Sequence, residues 1–263
     1  MNIEDRVAVI TGASGALGKA VARRLADGGA RLALLGRGAK GLERLAGELG
    51  LAEDRYLAMS ADLADPDSAR QAAAAVIDRF GRVDMLVHLV GGWSGGTPVL
   101  EVPSAEVSGM LRQHVWTTLN AVQAFVPHMV ERDWGRIVAV SQPAALQPAG
   151  NASSYAIGKA GQEVMLLSLA QELRDTGVTA NVVLVRAIGE REESRGSKTT
   201  PEEIASTIEY FCSDEARMIN GARIPGPREA VRRVVSLPGR SEGGARRLRA
   251  VPARAGRTGR PRR

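Results

Sequence analysis

A glycine-rich turn between an apolar run and a helical pattern is the feature that most constrains this chain. Residues 7–10, VAVI, form a mostly β-branched run that is typical of a parallel strand buried on both faces. Residues 11–18, TGASGALG, follow directly. Gly12 allows a sharp reversal, while Gly15 and Gly18 keep side chains away from a pyrophosphate and from the strand. Because a helix N-terminus offers free N–H groups, the turn predicts a dinucleotide site, with a plain tight turn as the alternative.

The rest of the chain alternates strand and helix patterns. Further strands are predicted near 32–35, 56–59, 85–90, 137–140 and 178–185, with a short last one at 222–224. Between the fourth and fifth strands a helical stretch runs from about 107 to 132, and Asp65 before Pro66 is a candidate helix N-cap. Regular alternation predicts an α/β fold with a Rossmann-type, doubly wound parallel sheet. We expect one dinucleotide-binding domain over residues 1–227.

The basic charge of the chain is concentrated at its end. The 263 residues have a formal net charge of +6, but residues 228–263 hold twelve arginines and two glutamates, so the remainder carries −4. Glycine, proline, arginine and alanine dominate that segment, a composition that predicts a disordered tail. The segment has no aromatic residue to stack on bases, so we expect no specific nucleic-acid recognition. A shifted reading frame would also explain such an ending.

Cysteine content and apolar runs bear on the compartment. A single cysteine, Cys212, excludes an internal disulfide framework. No uninterrupted apolar run reaches the roughly 20 residues that span a bilayer. The first residues, MNIED, carry acidic groups where a signal peptide has basic ones. We therefore expect a cytoplasmic protein with no membrane partner.

The end of the second predicted strand bears on cofactor choice. An acidic residue there would bind both ribose hydroxyls and repel a 2′-phosphate. This chain has Gly36 and Arg37 instead, and a guanidinium suits a phosphate. NADP(H) is therefore predicted over NAD(H), which stays possible, and a solvated surface role for Arg37 is the alternative. Asp62, after the third strand, is placed to meet the adenine or else caps a helix.

Tyr155 and Lys159 form the candidate catalytic pair. They stand four residues apart in a predicted helix and so share one face. The ordinary pKa of tyrosine, about 10, makes it a poor acid or base at neutral pH. A neighbouring ammonium stabilises the phenolate, so we expect Lys159 to lower the pKa of Tyr155. A surface pair without function is the alternative.

These motifs occur in the order typical of one family. The glycine turn, the Asp62 region, VDMLV at 83–87, GRIV at 135–138, YAIGK at 155–159 and Asn181 are followed by PEEIA at 201–205. Residues 1 to about 225 resemble the short-chain dehydrogenase/reductase family, in its single-domain 3-oxoacyl-(acyl-carrier-protein)-reductase-like branch. The resemblance implies hydride transfer between nicotinamide and a small ketone or secondary alcohol, a homo-oligomer and no metal. It implies a cofactor site formed by Gly12, Ser14, Gly15, Leu17, Gly18, Arg37, Asp62, Leu63, Gly91, Tyr155, Lys159 and Ile188.

Two departures from the family pattern fall on the predicted catalytic residues. The position of the family's serine holds Gln142, and Ser141 lies one residue too early. Gln142 could donate from its amide, whereas a strand bulge would present Ser141 instead. The position of the family's asparagine holds His114, which could relay protons or simply pack in the interior. The expected catalytic set is therefore Tyr155, Lys159, Gln142 and His114.

Two further motifs are altered near the expected substrate. The family's Asn-Asn-Ala-Gly reads HLVG at residues 88–91, and its Pro-Gly reads Val185-Arg186. Together with the changes at Gln142 and His114, these support an alternative. The chain could be a degenerate dinucleotide-binding protein with little or no turnover.

Overall fold

A computed structural model of the chain describes residues 2–189 and 199–226. Within these ranges seven strands alternate with α-helices, and a π-helical turn, Arg112–Trp116, interrupts one helical stretch. The elements are β1 Val7–Thr11, α1 Ala16–Asp27, β2 Arg31–Gly36, α2 Ala39–Leu49, β3 Tyr56–Ser60, α3 Pro66–Phe80, β4 Met85–His88, α4 Ser104–Leu111, α5 Thr117–Val130, β5 Gly135–Ser141, α6 Ser153–Glu172, β6 Val178–Leu184, α7 Pro201–Cys212 and β7 Arg223–Pro225.

The sheet is parallel throughout and has the strand order β3-β2-β1-β4-β5-β6-β7. β1 pairs with β2 on one side and with β4 on the other, so the chain changes direction across the sheet at this point. In open sheets of this kind, ligands bind beyond the carboxyl ends of the strands at such a switch point. The predicted Rossmann-type, doubly wound class is confirmed, and the cleft lies where the glycine turn begins.

The apolar runs of the strands are buried on both faces. Val7 and Val9 belong to one core cluster, whereas Ala8 and Ile10 belong to a second cluster on the other side of the sheet. Successive side chains of a strand point to opposite faces, so both faces of β1 are covered by helices. This explains why the sequence shows a continuous apolar run there rather than an alternation.

Most predicted elements lie where the sequence placed them. Asp65 caps α3 as expected, because its side chain accepts a hydrogen bond of 3.0 Å from the Asp67 amide. The observed bounds differ from the predicted ones by up to three residues, and two of the differences bear on the site. β4 ends at His88 rather than at residue 90, and the helical stretch predicted over 107–132 begins at Ser104 and contains the π-helical turn. The apolar periodicity of the sequence does not reveal the π-helical turn, because its one extra residue leaves the helical pattern intact on each side.

Some expectations lie outside the described residues. The predicted disordered tail, 228–263, does so entirely; residues 190–198, between β6 and α7, are not described either. Among the described helices, none combines the length and the apolar character that a membrane crossing requires.

Candidate active site

The glycine turn after β1 is shaped for close approach of a ligand. Gly12 has a φ of +69°, in the left-handed region that favours glycine. A Cβ on Gly18 would lie 2.4 Å from the Gly12 carbonyl oxygen, so only glycine fits there. Gly15 precedes α1 and provides no side-chain cap for its first N–H groups. The free amides and the partial positive charge of this helix end suit the pyrophosphate of a dinucleotide.

A cavity of about 800 Å³ opens from this turn across the carboxyl ends of β1, β2, β3 and β4, and is closed on one side by residues around the π-helical turn. Its size and its place at the switch point fit a dinucleotide. Seven of the predicted cofactor residues line it: Gly12, Ser14, Gly15, Arg37, Asp62, Leu63 and Gly91. The other five do not contribute to its wall: Leu17, Gly18, Tyr155, Lys159 and Ile188.

Three charged side chains, those of Arg37, Asp62 and Arg112, line this cavity. Arg37 is exposed at the end of β2, and its guanidinium makes no hydrogen bond or ion pair within residues 2–189 and 199–226. Asp62 accepts from the Ala64 amide at 3.0 Å and pairs with Arg112 at 3.2 Å. Asp62 therefore both closes its own loop and reaches across the cavity. Arg112 was missed by the sequence analysis, since nothing marks it before the π-helical turn is known.

The Tyr155 and Lys159 side chains both lie on the buried face of α6. The Lys159 Nζ donates to the Val140 carbonyl at 2.8 Å and to the Gln162 Oε1 at 3.0 Å. Burial lowers the pKa of this amine to about 8, against the attraction of Glu163. A Cβ built on Gly91 would lie 3.9 Å from the Nζ. Since Gly91 lines the cavity, the amine adjoins the cavity wall.

The expectation that Lys159 makes Tyr155 more acidic is wrong for the chain by itself. Burial raises the pKa of Tyr155 to about 12, and no attraction from the ammonium offsets it. The physical reason is twofold. Sequence spacing shows the shared helix face but not the removal of the phenol from water. The amine is also held by β5 and by Gln162 rather than by the phenol.

His114 lies in the π-helical turn and is fully buried. Its Nε2 is 3.1 Å from the Gly92 carbonyl, which can only accept, so we assign the ring hydrogen to Nε2. The Nδ1 has no hydrogen-bond partner in the described part of the chain. Burial, reinforced by the Lys159 charge, lowers the pKa of His114 to about 4. Its ring meets Tyr155 edge-on, 5.5 Å between centroids, so His114 packs against the phenol and anchors the loop after β4.

Gln142 and Ser141 end β5 without a bulge. β5 pairs with β6 in unbroken register up to Ser141, opposite Leu184. The alternative in which a bulge presents Ser141 is therefore not found; its hydroxyl is buried and unpartnered within the described ranges. Gln142 is half-buried, and its amide reaches the Arg186 carbonyl at 3.4 Å, which leaves it weakly held. Of the two side chains, Gln142 is the more exposed.

Two buried polar side chains near the site were not selected from the sequence. His88, at the end of β4, lies between the hydroxyls of Thr11 at 3.0 Å and Thr117 at 3.4 Å, and burial lowers its pKa to about 3. Gln162 contacts Lys159 and the Thr118 hydroxyl, both at 3.0 Å. The only available signal for Gln162 was its spacing of three residues from Lys159, which places both on one helix face.

Ile188 lies on the loop after β6. It is partly exposed and forms an isolated parallel bridge with Thr199. It is separate from the wall of the cavity. Its predicted contact with the cofactor carboxamide remains a prediction.

The fold and the glycine turn define a Rossmann-type α/β protein with a nucleotide cleft at its switch point. Residues 6–190 match the model of the short chain dehydrogenase family, and the chain belongs to this family of oxidoreductases. It is 32% identical over 232 residues to (2S)-((R)-hydroxy(phenyl)methyl)succinyl-CoA dehydrogenase subunit BbsC of Thauera aromatica, covering 84% of this chain and 92% of the relative.

Other relatives agree with this assignment. The 3-oxoacyl-(acyl-carrier-protein) reductase FabG of Vibrio cholerae is 28% identical, with 84% of this chain and 95% of the relative covered. Among solved structures, a 3-ketoacyl-(acyl-carrier-protein) reductase from Brucella melitensis complexed with NADH superposes with a TM-score of 0.78 at 26% identity, covering 85% of this chain and 97% of the other. Levodione reductase superposes with a TM-score of 0.77 at 26% identity, covering 85% and 96%.

Proposed function

We propose that the protein is an NADP(H)-dependent oxidoreductase that interconverts a small ketone and a secondary alcohol. The observation that carries the proposal is the cavity at the switch point, which is lined by the glycine turn and by Gly91, with the Lys159 amine next to Gly91. A nicotinamide dinucleotide bound there would supply or accept the hydride. The dehydrogenases and reductases among the relatives, one of them complexed with NADH, support this proposal.

The chain's own residues would bind the cofactor, orient the substrate and transfer the proton. The Tyr155 phenol is protonated at neutral pH and is the donor closest in type to what a carbonyl oxygen needs. Because burial raises its pKa to about 12, it is a weaker acid than an ordinary tyrosine, so in this proposal the bound cofactor and substrate must stabilise the phenolate as the proton leaves. The Lys159 amine would hold the cofactor ribose from the cavity wall. The Gln142 amide could donate to the same substrate oxygen as Tyr155, and neutral His114 would hold the phenol ring in place.

The test of activity is NADPH consumption with a panel of ketones. Tyr155→Phe is expected to abolish turnover, because the ring keeps its packing against His114 while the proton is lost. Tyr210→Phe, on the partly exposed face of α7, is the matched control and should retain full rates. Full turnover in Tyr155→Phe would remove Tyr155 from the mechanism.

Cofactor preference is proposed to depend on Arg37. Its guanidinium lies at the cavity rim, has no partner among the residues that the structure describes, and suits the 2′-phosphate of NADP(H). Arg37→Ala should weaken NADPH binding by about 10-fold to 100-fold, the loss of a charge-assisted contact, and leave NADH binding unchanged. Calorimetric titration measures both, with exposed Lys40→Ala as the control. Equal weakening for the two cofactors would contradict the preference.

A second candidate is a dinucleotide-binding protein with little or no turnover. It is favoured by the engagement of the Lys159 amine with Val140 and Gln162 and by Gln142 at the position of the family's serine. Cofactor affinity and reductase activity, measured on one preparation, separate the two candidates. Micromolar binding with no turnover across the ketone panel would establish the binding protein.

We further propose that the protein lies in the cytoplasm and that residues 1–227 form the dinucleotide-binding domain, separate from residues 228–263. The proposal also includes assembly into a homo-oligomer. Trp116, Ile157 and Val164, on the π-helical turn and α6, are large apolar side chains that remain exposed, at 52%, 46% and 66%. We expect this face to bind a second copy, and Val164→Glu to yield a monomer in sedimentation analysis. Unchanged sedimentation would show that the interface lies elsewhere.

A further inference from the structure

Gln162 is a fully buried amide whose two ends are both used. Its Oε1 accepts from the Lys159 Nζ, and its Nε2 donates to the Thr118 hydroxyl. The Thr118 hydroxyl in turn donates to the His114 carbonyl at 2.6 Å. This connected set fixes the orientation of the amide, because a flipped Gln162 would turn its NH2 group toward an ammonium.

The position of the Lys159 amine follows from its two acceptors. The Val140 carbonyl and the Gln162 oxygen take two of its three N–H donors. Gly91, which has no side chain, separates the amine from the cavity on the remaining side. A carbonyl of β5 belongs to the backbone and is fixed by the sheet. Gln162 is therefore the side chain that decides where the amine stands.

We propose that Gln162 is a positioning residue that holds the Lys159 amine at the wall of the dinucleotide cavity, with Thr118 as its brace. The inference rests on the proposed function for the identity of the ligand. The predicted effect on Lys159 itself does not depend on the proposed function, because it can be measured in the protein without a cofactor.

The charged and titratable groups around the Lys159 amine lie on α6, on the π-helical turn and on β4. On α6, Glu163 is paired with Arg223 of β7, and Tyr155 holds a protonated phenol. His114 from the π-helical turn and His88 from β4 both face the amine. Burial keeps both imidazoles neutral near pH 7. Gln162 is thus an uncharged acceptor in direct contact with the ammonium, while the nearby carboxylate is already bound to a guanidinium.

The test compares Gln162→Leu and Gln162→Glu with the wild-type chain. NADPH affinity is measured by calorimetry between pH 6 and pH 10, and folding is checked by circular dichroism. Wild-type binding should weaken as the pH rises through about 8, where the amine loses its proton. Gln162→Leu should weaken binding about tenfold at pH 7 and move that midpoint down, because the ammonium loses an acceptor. Gln162→Glu should move the midpoint up by about one unit.

The free protein provides a readout that needs no cofactor. The rate at which a small acylating reagent modifies Lys159 is followed by mass spectrometry across the same pH range. The apparent pKa should fall in Gln162→Leu and rise in Gln162→Glu, opposite shifts that a merely structural role would not produce. Gln171→Leu, an exposed glutamine on the same helix, is the matched control and should leave both readouts unchanged.

Failure of the inference and failure of the proposed function would give different experimental results. Unchanged midpoints and unchanged Lys159 reactivity in both Gln162 variants would overturn the inference while leaving the proposed function intact. A wild-type chain that binds neither NADPH nor NADH would overturn the proposed function, and Lys159 reactivity would then decide the inference alone. If Gln162→Leu does not fold, Thr118→Val removes the brace and should shift Lys159 in the same direction but less. No shift in Thr118→Val and Gln162→Glu would overturn the proposal.

Discussion

At the scale of single residues, one physical cause acts on three ionisable side chains of the site. Burial raises the pKa of Tyr155 to about 12, lowers that of Lys159 to about 8 and lowers that of His114 to about 4. Each shift favours the uncharged form, since a low-dielectric interior disfavours charge of either sign. Near pH 7 the phenol and the imidazole are neutral, and the amine remains mostly protonated. Of these three side chains, only Lys159 is therefore charged near pH 7, and its amine stands beside the cavity.

The neutral histidines predict a loss of stability in acid. An unfolded imidazole takes up a proton near pH 6.5, whereas His114 does so only near pH 4 and His88 near pH 3. Between these values the unfolded state binds more protons, so the free energy of unfolding falls as the pH decreases. His114→Asn should reduce this fall by on the order of 2 kcal/mol between pH 6.5 and pH 4.5, measured by urea unfolding.

His128→Asn is the control for this experiment. His128 lies in the last turn of α5 and provides a second histidine-to-asparagine variant, so that an effect specific to position 114 can be recognised. An equally steep fall in His114→Asn would mean that His114 is not held neutral in the folded protein.

At the scale of elements, glycines decide how closely the helices approach their neighbours. Gly158 of α6 faces the Met110 carbonyl and the His114 ring, both 2.9 Å from where a Cβ would lie. This contact sets α6 against α4 and the π-helical turn, and so brings the Tyr155 ring to His114. The site geometry depends on these approaches as much as on the reactive side chains.

Gly18→Ala tests the turn that opens α1. The added methyl would lie 2.4 Å from the Gly12 carbonyl and 2.6 Å from that of Ala13, both backbone atoms, so the turn must open. We expect a loss of about 1–3 kcal/mol in the free energy of unfolding and a loss of NADPH binding. Gly47→Ala, in the open on α2, should instead stabilise the chain by up to about 1 kcal/mol. NADPH binding at wild-type affinity in Gly18→Ala would exclude the turn from the site.

Local patterns predicted the elements, but not the contacts between elements. The run at 7–10 and the turn after it are adjacent in sequence, so the sequence shows them directly. The bond from Gln162 to Thr118 joins α6 to α5, and the pair of Asp62 and Arg112 joins the end of β3 to the π-helical turn. Such contacts depend on how helices cross the sheet. For the same reason the pKa of Tyr155 was predicted in the wrong direction, because spacing shows a neighbouring charge but not the loss of water.

At the scale of the whole molecule, charge is divided unevenly along the chain. Residues 228–263 carry a formal +10, and the part that contains the sheet and the cavity carries −4. The glycine turn, the cavity wall and the Tyr155–Lys159 helix all lie before residue 227. The basic charge and the residues of the candidate site therefore lie in separate parts of the sequence.

Truncation after residue 227 tests whether NADPH binding and retention by a polyanion depend on different parts of the chain. The shortened chain should retain its circular dichroism spectrum and its NADPH affinity, because none of the residues assigned to the site is removed. It should also lose retention on a heparin column at pH 7, where the full chain is held and released by salt. Loss of folding would show that the segment belongs to the domain, and unchanged retention would place the basic surface elsewhere.

The π-helical turn at Arg112–Trp116 determines where this chain can change length. A π turn holds one residue more than an α turn, so α4 and α5 are already in phase across an insertion. Deleting a single residue inside the turn would restore continuous α-helical winding and keep both helices on their present faces. The same deletion within α5 would rotate every later side chain by about 100° and drive buried positions into solvent. We therefore expect loss of one residue at the turn that contains His114 to remodel the wall of the cavity while the fold is preserved.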